Sequence, residues 1–276
     1  AESVCAGDRL PREAVFDVHA RLADKSLTVA EPLAVGPSRH RFLETVRQYA
    51  AERLAEAGEV DLLRQRHFAH FLEIAERYHA TATAGGSDAS LLALAAHRDN
   101  FRTALAWAAE LDAEGGLRLA SALDDFWRMI SAAEGWGWLQ LMLRAAPPSN
   151  PHRLRALLTA GMLSAYVSAF AEGTGLLREA RTMAEQAGDR ASEAWALLWL
   201  GRLAAMAEDV DSGEEHLQSA LALHDELGIP LGRVRSLTML GFLQAVILER
   251  RAEGDQKLQA AVNLAHGLVH YSSMEV

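Results

Sequence analysis

The chain has 276 residues, half of them apolar, which suffices for one large core or two modest ones. Its net charge of −10 makes the chain as a whole a poor general nucleic-acid binder. A single cysteine, Cys5, excludes an internal disulfide and a cysteine-based zinc site, and suits a reducing cytoplasm. Alanine and leucine are abundant and aromatics few, which favours an all-α protein. Lysine occurs only at Lys25 and Lys257, so nearly all positive charge is arginine, a bias expected of a GC-rich bacterial genome rather than of a chemistry. No stretch approaches the ~20 apolar residues of a membrane span, and no signal peptide is visible. "AESVCAGDRLP" reads as the tail of a helix already under way and "HYSSMEV" stops without a cap, so both ends suggest a piece of a longer protein.

In chain order, Pro11 suits the first turn of a helix whose apolar residues are Val15, Val18 and Leu22. "LTVAE", the loop "PLAVGPS" and "RHRFLE" then predict two short strands in a hairpin with a long tip. Thr45 as N-cap and Gln48 three residues later form a capping-box pattern. Val46, Tyr49, Ala50, Leu54 and Ala57 predict the buried stripe of that helix, and Gly58 its end. Helix, hairpin, helix is the tail of a winged-helix module, assigned to residues 1–58. A DNA-reading role needs a basic face, yet this segment carries eight Arg or Lys against nine Asp or Glu. Arg47 and Arg53 lie beside Glu44, Glu52 and Glu56, which predicts intrahelical pairing instead.

Residues 59–146 read as a helical connector, broken by the loop "TATAGGSDAS" (81–90) and closed by "PPSNP" (147–151). Within it, His67, His70 and Glu73 fall at helical spacing. Three such residues without a fixed loop are a weak metal motif, so packing is the expectation and no metal site is assigned. Trp107, Trp127, Trp136 and Trp138 read as core residues rather than an aromatic box. The adjacent pairs Asp124–Asp125 and Glu214–Glu215 do not face each other on a helix, so they read as solvated charges, not an acid/base pair. No serine, cysteine or histidine arrangement suggests a nucleophile, and no catalytic residue or cofactor is assigned to this chain.

Residues 151–270 repeat. Gly161, Gly201 and Gly241 are forty residues apart, and so are Leu157, Leu197 and Leu237. Ala180, Ala220 and Ala260 recur nineteen residues after each glycine, on the second helix of each unit. Leu177 and Leu217 supply the apolar contact between the helices. The third copy has Lys257 in that column, which reads as a degenerate or solvent-facing last repeat. Units of about 153–190, 191–230 and 231–270 follow. A weaker copy is expected before them, from Leu117 and Leu123. The same register places Arg155, Trp195 and Arg235 six residues before the glycines, Met162, Arg202 and Phe242 one after, and Tyr166, Met206 and Val246 five after. Arginine beside aromatic and methionine is the composition of a recognition groove, although packing against the next repeat explains such columns equally well.

Two resemblances bear on these readings. The leucine, glycine and alanine columns resemble the tetratricopeptide repeat, with a period of 40 in place of the usual ~34. That resemblance implies an α-solenoid of antiparallel helix pairs, mostly all-α overall, with the groove columns on its concave side. "LADKSL", "RHRFLETVRQYAAERLAEAG", "RQRHFAHFLEIAE" and "HRDNFRTALAWA" resemble bacterial STAND-type regulatory ATPases allied to LuxR-type and AfsR-type transcriptional regulators. In that family an NB-ARC-like nucleotide-binding domain precedes a winged helix and helical repeats follow. DNA binding belongs to a separate terminal domain. Neither lysine here sits in a glycine-rich loop before Ser or Thr, so no P-loop exists in this chain, and the nucleotide site maps to no residue of it. The resemblance implies a cytoplasmic, non-catalytic sensor module. Its repeats would bind a protein or small-molecule inducer and relay occupancy to an upstream ATPase domain, with no direct nucleic-acid or membrane contact. The alternative is a scaffold whose repeats mediate self-association without an inducer.

Overall fold

The computed structural model describes residues 1–7, 9–31, 39–83, 91 and 94–274. It opens with a short helix α1 (Glu2–Cys5), helix α2 (Arg12–Asp24), strands β1 (Thr28–Glu31) and β2 (Arg39–Phe42), and helix α3 (Glu44–Glu56). The strands pair antiparallel, Thr28 opposite Phe42 and Glu31 opposite Arg39; the predicted tip, 32–38, lies outside the described residues. Pro11 is the N-cap of α2 rather than a first-turn residue. Val15 is buried beneath that helix.

Helix α3 departs from expectation. It starts at Glu44 behind Leu43, no side chain caps it, and Gln48 bonds the Glu44 carboxylate instead (3.1 Å). None of its residues is buried, and Tyr49 is 62% exposed. An amphipathic pattern tells which face is apolar, not whether anything covers it, and no other described element packs extensively on this one. The arginines behave as the local charge balance predicts. Arg47 bonds Glu44 (2.6 Å), Arg53 bonds Glu56 (2.5 Å), and Arg41 pairs with Glu31 across the hairpin.

From α4 (Val60–Thr83) onward the chain is a helical stack. α5 (Arg98–Leu111) and α6 (Ala113–Ala122) pack on α4. Asp112 caps α6 by accepting the Gly115 N–H (2.9 Å). The chain bends at Leu123 into α7 (Asp124–Ile130) and returns in α8 (Ala132–Ala145). Leu117 and Leu123, expected to mark a weaker repeat, are both fully buried there. Three longer helix pairs follow: α9 (Arg153–Ser164) with α10 (Phe170–Ala187), α11 (Arg190–Met206) with α12 (Val210–Glu226), and α13 (Pro230–Phe242) with α14 (Arg251–Met274). A π-helical turn, Leu243–Ile247, extends α13. One hydrophobic core runs from Phe68 to Leu243. The architecture is a tetratricopeptide-like α-solenoid of antiparallel helix pairs behind a two-stranded hairpin.

Close approach explains the glycine columns. A methyl group on Gly161 would lie 2.3 Å from Leu177, and one on Gly201 would lie 2.7 Å from Leu217. In the third unit the partner of Gly241 is Leu258, not Lys257, and the buried alanine is Ala261, while Ala260 is exposed. The last repeat is therefore not degenerate. It carries one extra residue, and the π-turn absorbs it. The left-handed residues give the same register. Ser168 and Glu208 occupy that conformation in the first two turns between paired helices, forty apart, and Glu249 occupies it in the third, one residue late. Gln244, inside the π-turn, donates to Glu214 (2.6 Å), which also pairs with Arg250. Glu214 is thus not the solvated charge its neighbour suggests. Burial pushes its carboxyl up, but Gln244 and Arg250 outweigh that and hold it below the usual range.

Candidate functional site

The groove columns sit on the first helix of each pair. Successive first helices lie against one another, α9 on α11 and α11 on α13, while contacts between successive second helices are sparser. The first helices thus form the tighter, inner curve of the solenoid. A bond spanning it confirms the curvature: Arg235 on α13 donates to Asp125 on α7 at 3.1 Å, across 110 residues of chain. Arg128 completes the link, donating to the same carboxylate at 2.9 Å.

These contacts frame a pocket of about 280 Å³. Arg155, Arg235, Asp125 and Asp124 supply its polar lining, and Trp195, Leu158 and Leu231, with a small contribution from the buried Trp199, its apolar one. Arg235 lies over Trp195, 5.5 Å from the ring centre, and the rings of Trp195 and His224 meet edge to face, 4.9 Å apart. Beside the pocket, Arg202 lies over the rings of Tyr166 (4.6 Å) and Trp199 (5.5 Å) and donates to the Tyr166 hydroxyl at 2.9 Å.

The Asp124–Asp125 pair is likewise not solvated. Asp124 opens α7, just after the bend at Leu123, so both carboxylates turn inward, to His79 (3.3 Å) and to the arginines. Burial would raise the Asp125 carboxyl; the charges of Arg235 and Arg128 prevail and hold it below its ordinary range. Burial lowers the Arg155 guanidinium against the pull of Asp124 and Glu76. Its Nε is buried without a partner, and Nη2 reaches only the Ser121 carbonyl at 3.4 Å.

Of the eight residues singled out from the sequence, Arg155, Met162, Trp195 and Arg235 line this pocket. Met162 nevertheless belongs to the core at 4% exposure, because its neighbours on α9 are covered by α8 and α11, so it offers little groove surface. Tyr166 and Arg202 form the adjoining stack. By repeat register Met206 (41% exposed) and Phe242 (54%) fall on the same face as an exposed apolar ladder, and Val246 in the π-turn is also exposed. Arg128 and Trp199 escaped the sequence reading, and Asp125 entered it only as a solvated charge. Trp199 carried a signal, standing one helical turn after Trp195.

The chain is 34% identical over 212 residues, 72% of its length, to proteins of Mycobacterium tuberculosis (strain H37Rv) and Mycobacterium bovis, each described as a "Putative HTH-type transcriptional regulator". Its relatives are named as transcriptional regulators. The match spans 24% of each relative, so the chain corresponds to about a quarter of their length. No family model matches it. Among solved structures it is similar to MamA (41-end) from Desulfovibrio magneticus RS-1, with a TM-score of 0.48 and 18% identity over 73% of this chain and 96% of that one. BtubC from P. vanneervenii gives 0.48 and 21% over 77% and 92%. The architecture rests on the helices themselves.

The remaining sequence candidates have structural work. His67 lies at 3.3 Å from Asn100 Oδ1 and packs on Phe71, and no cluster able to hold a metal occurs among the described residues. Trp127 is fully buried; Trp107, Trp136 and Trp138 pack partly buried against the same core. No helix among the described residues is long and apolar enough to cross a membrane.

His224, behind the pocket, yields a pH dependence. It is fully buried, with Nδ1 3.0 Å from Ser236 Oγ, and burial lowers its pKa from 6.5 to about 4. Between those values the unfolded chain binds the proton and the folded chain does not, so stability is full above pH 6.5 and is lost as pH falls towards 4. The loss should approach about 3 kcal/mol from this group. Burial also lowers His67, His70 and His216, in the same direction. Urea titrations at several pH values should show a shallower acid loss for His224→Gln than for the parent. Parallel slopes would remove His224 as the cause.

Proposed function

We propose that this chain is a non-catalytic sensor and interaction module of a transcriptional regulator. The inner face of its repeats binds a protein or small inducer, and the resulting change is relayed to an ATPase domain outside this chain, through the hairpin and the exposed face of α3. The observation that carries the reading is the convergence of arginine and aromatic side chains from α9, α11 and α13 on one inner face, continued by the exposed Met206 and Phe242. Buried aromatic and arginine anchors ringed by further apolar surface are what binding faces use. The relatives' naming as transcriptional regulators supplies the regulatory context. The charge balance and internal pairing of the arginines around α3 support contact with protein rather than DNA.

The test uses the whole gene product in its host. Phe242→Asp and Met206→Asp each place a charge on the ladder without opening a cavity, and should shift the unfolding free energy by no more than ~0.5 kcal/mol. Both should change transcriptional output or ATP turnover severalfold. Unaltered regulation in both variants would leave the inner face without the proposed role.

A further inference from the structure

The inner pocket has one unsatisfied element. Arg155 is a half-buried cation whose Nε has no partner and whose Nη2 makes only a long bond to the Ser121 carbonyl. Among the described residues no carboxylate reaches it within ion-pair distance, although Asp124 and Glu76 act on it through their fields. A guanidinium held out of water and left short of acceptors is strongly favoured by an anion that arrives to share its burial. The other charges leave room for one. Asp125 is held by Arg128 and Arg235 together, Asp124 lies against His79, and Glu76 is bound by Arg118 at 2.7 Å. Arg202, stacked on Trp199 next to the pocket, likewise has no carboxylate among the described residues, so the balance on this face is positive although the whole chain is acidic. The apolar lining comes from Trp195, Leu158 and Leu231, with a small contribution from the buried Trp199. Size narrows the choice further. A cavity of about 150 Å³ accepts a benzene ring. The 280 Å³ here takes a ring with a short acid arm, and no folded segment.

We propose that this pocket is a binding site for a small organic acid with a flat apolar body, the carboxylate taken by Arg155 and the body laid against Trp195 and the neighbouring Leu158 and Leu231. Arg235 stands over Trp195 and is tied to Asp125, so a ligand carboxylate competes with Asp125 for the same wall of cations. That competition couples occupancy to the Arg235–Asp125 bond that spans the inner curve from α7 to α13. The inference deepens the inducer-binding reading and names the inducer's chemistry.

Phenylacetate is a suitable probe, with phenylacetamide and phenethylamine as its neutral and cationic counterparts. Titration of the whole chain, followed by calorimetry and tryptophan fluorescence, should show saturable phenylacetate binding with Kd on the order of 1 mM or tighter, as expected of a ligand of about ten heavy atoms. The amide and the amine should bind at least ~10-fold more weakly. Arg155→Met should weaken phenylacetate by at least ~10-fold and Arg155→Lys by less, since lysine keeps the charge but loses the planar fork. Asp125→Asn, which removes the competing carboxylate, should tighten it. Equal or tighter binding of the amine, no saturation by the acid, or an unchanged Kd in Arg155→Met whose circular dichroism matches the parent overturns the proposal. If N-acetyl-phenylalanine binds more than ~10-fold tighter than phenylacetate, the site belongs to a chain terminus and the small-acid assignment falls. The ladder variants Phe242→Asp and Met206→Asp are read separately, so a dead acid site with altered regulation in those variants defeats only this inference.

Discussion

Trp127→Ala should lower the free energy of unfolding by about 3–5 kcal/mol, a cost seen when a large buried aromatic is cut to a methyl group. Trp127 is fully buried on α7, and its indole Nε1 donates to the Ala120 carbonyl at 3.0 Å. Phe126 meets it edge-on at 5.0 Å. Gly135 on α8 sits flush against the indole: a methyl group there would lie 2.3 Å from Trp127 Cγ and 2.9 Å from Leu163 on α9. The substitution therefore opens a cavity where α7 and α8 join α9, and it leaves a buried carbonyl without its donor. Neither loss can relax easily, because α8 is already at contact distance and has no side chain at Gly135 to swing in. Denaturant titration by circular dichroism should show the drop in midpoint. A loss below ~1 kcal/mol would mean that α7 and α8 do not hold this geometry in solution. Trp195→Ala should cost less, since that indole is only half buried and lines the pocket.

How far the sequence reached can be judged from particular residues. Gly161 and Gly201 were legible as helix-crossing points because close approach tolerates no side chain, and that demand recurs with the repeat. The pocket columns Arg155, Trp195 and Arg235 were legible for the same reason: a fixed register fixes the face. Phe242 kept its place because the inserted residue comes after it, whereas Val246 falls inside the π-turn, where strict forty-residue counting no longer holds. Asp125 was misread by a rule that is sound within a continuous helix. The break at Leu123 makes Asp124 the first residue of a new helix, and adjacent carboxylates there can both turn inward. Its partner Arg235 lies 110 residues away, a distance over which local pattern carries no information. The α3 stripe shows the complementary limit, since hydrophobic periodicity orients a helix without supplying the surface that covers it.

Gly254→Val should cost about 3 kcal/mol or more and should separate the two registers of the last repeat. On helix propensity alone the change is mildly favourable, because valine is a better helix former than glycine by a few tenths of a kcal/mol. Packing reverses the sign. A β-carbon on Gly254 would lie 2.5 Å from the Gly241 carbonyl oxygen, the Ala245 backbone nitrogen and the Ala245 methyl group. Two of these are backbone atoms, which no rotamer change can move, so α14 must shift off α13 and its π-turn. Overpacking that side-chain motion can relieve costs about 1–3 kcal/mol, and this contact belongs at the top of that range or beyond it. Gly175→Ala on α10 is the control: nothing lies within 4 Å of the new methyl group, so it should gain about 0.5–1 kcal/mol. Ala260→Leu, at an exposed position, should be nearly neutral, while Ala261→Leu, at 3% exposure, should be destabilising. Under an unbroken period of forty the penalties would fall on the other residue of each pair. Gly254→Val would then be tolerated, Ala260→Leu would be damaging, and Lys257→Leu would stabilise the contact with Gly241. Thermal unfolding of these variants side by side decides which register the π-turn creates.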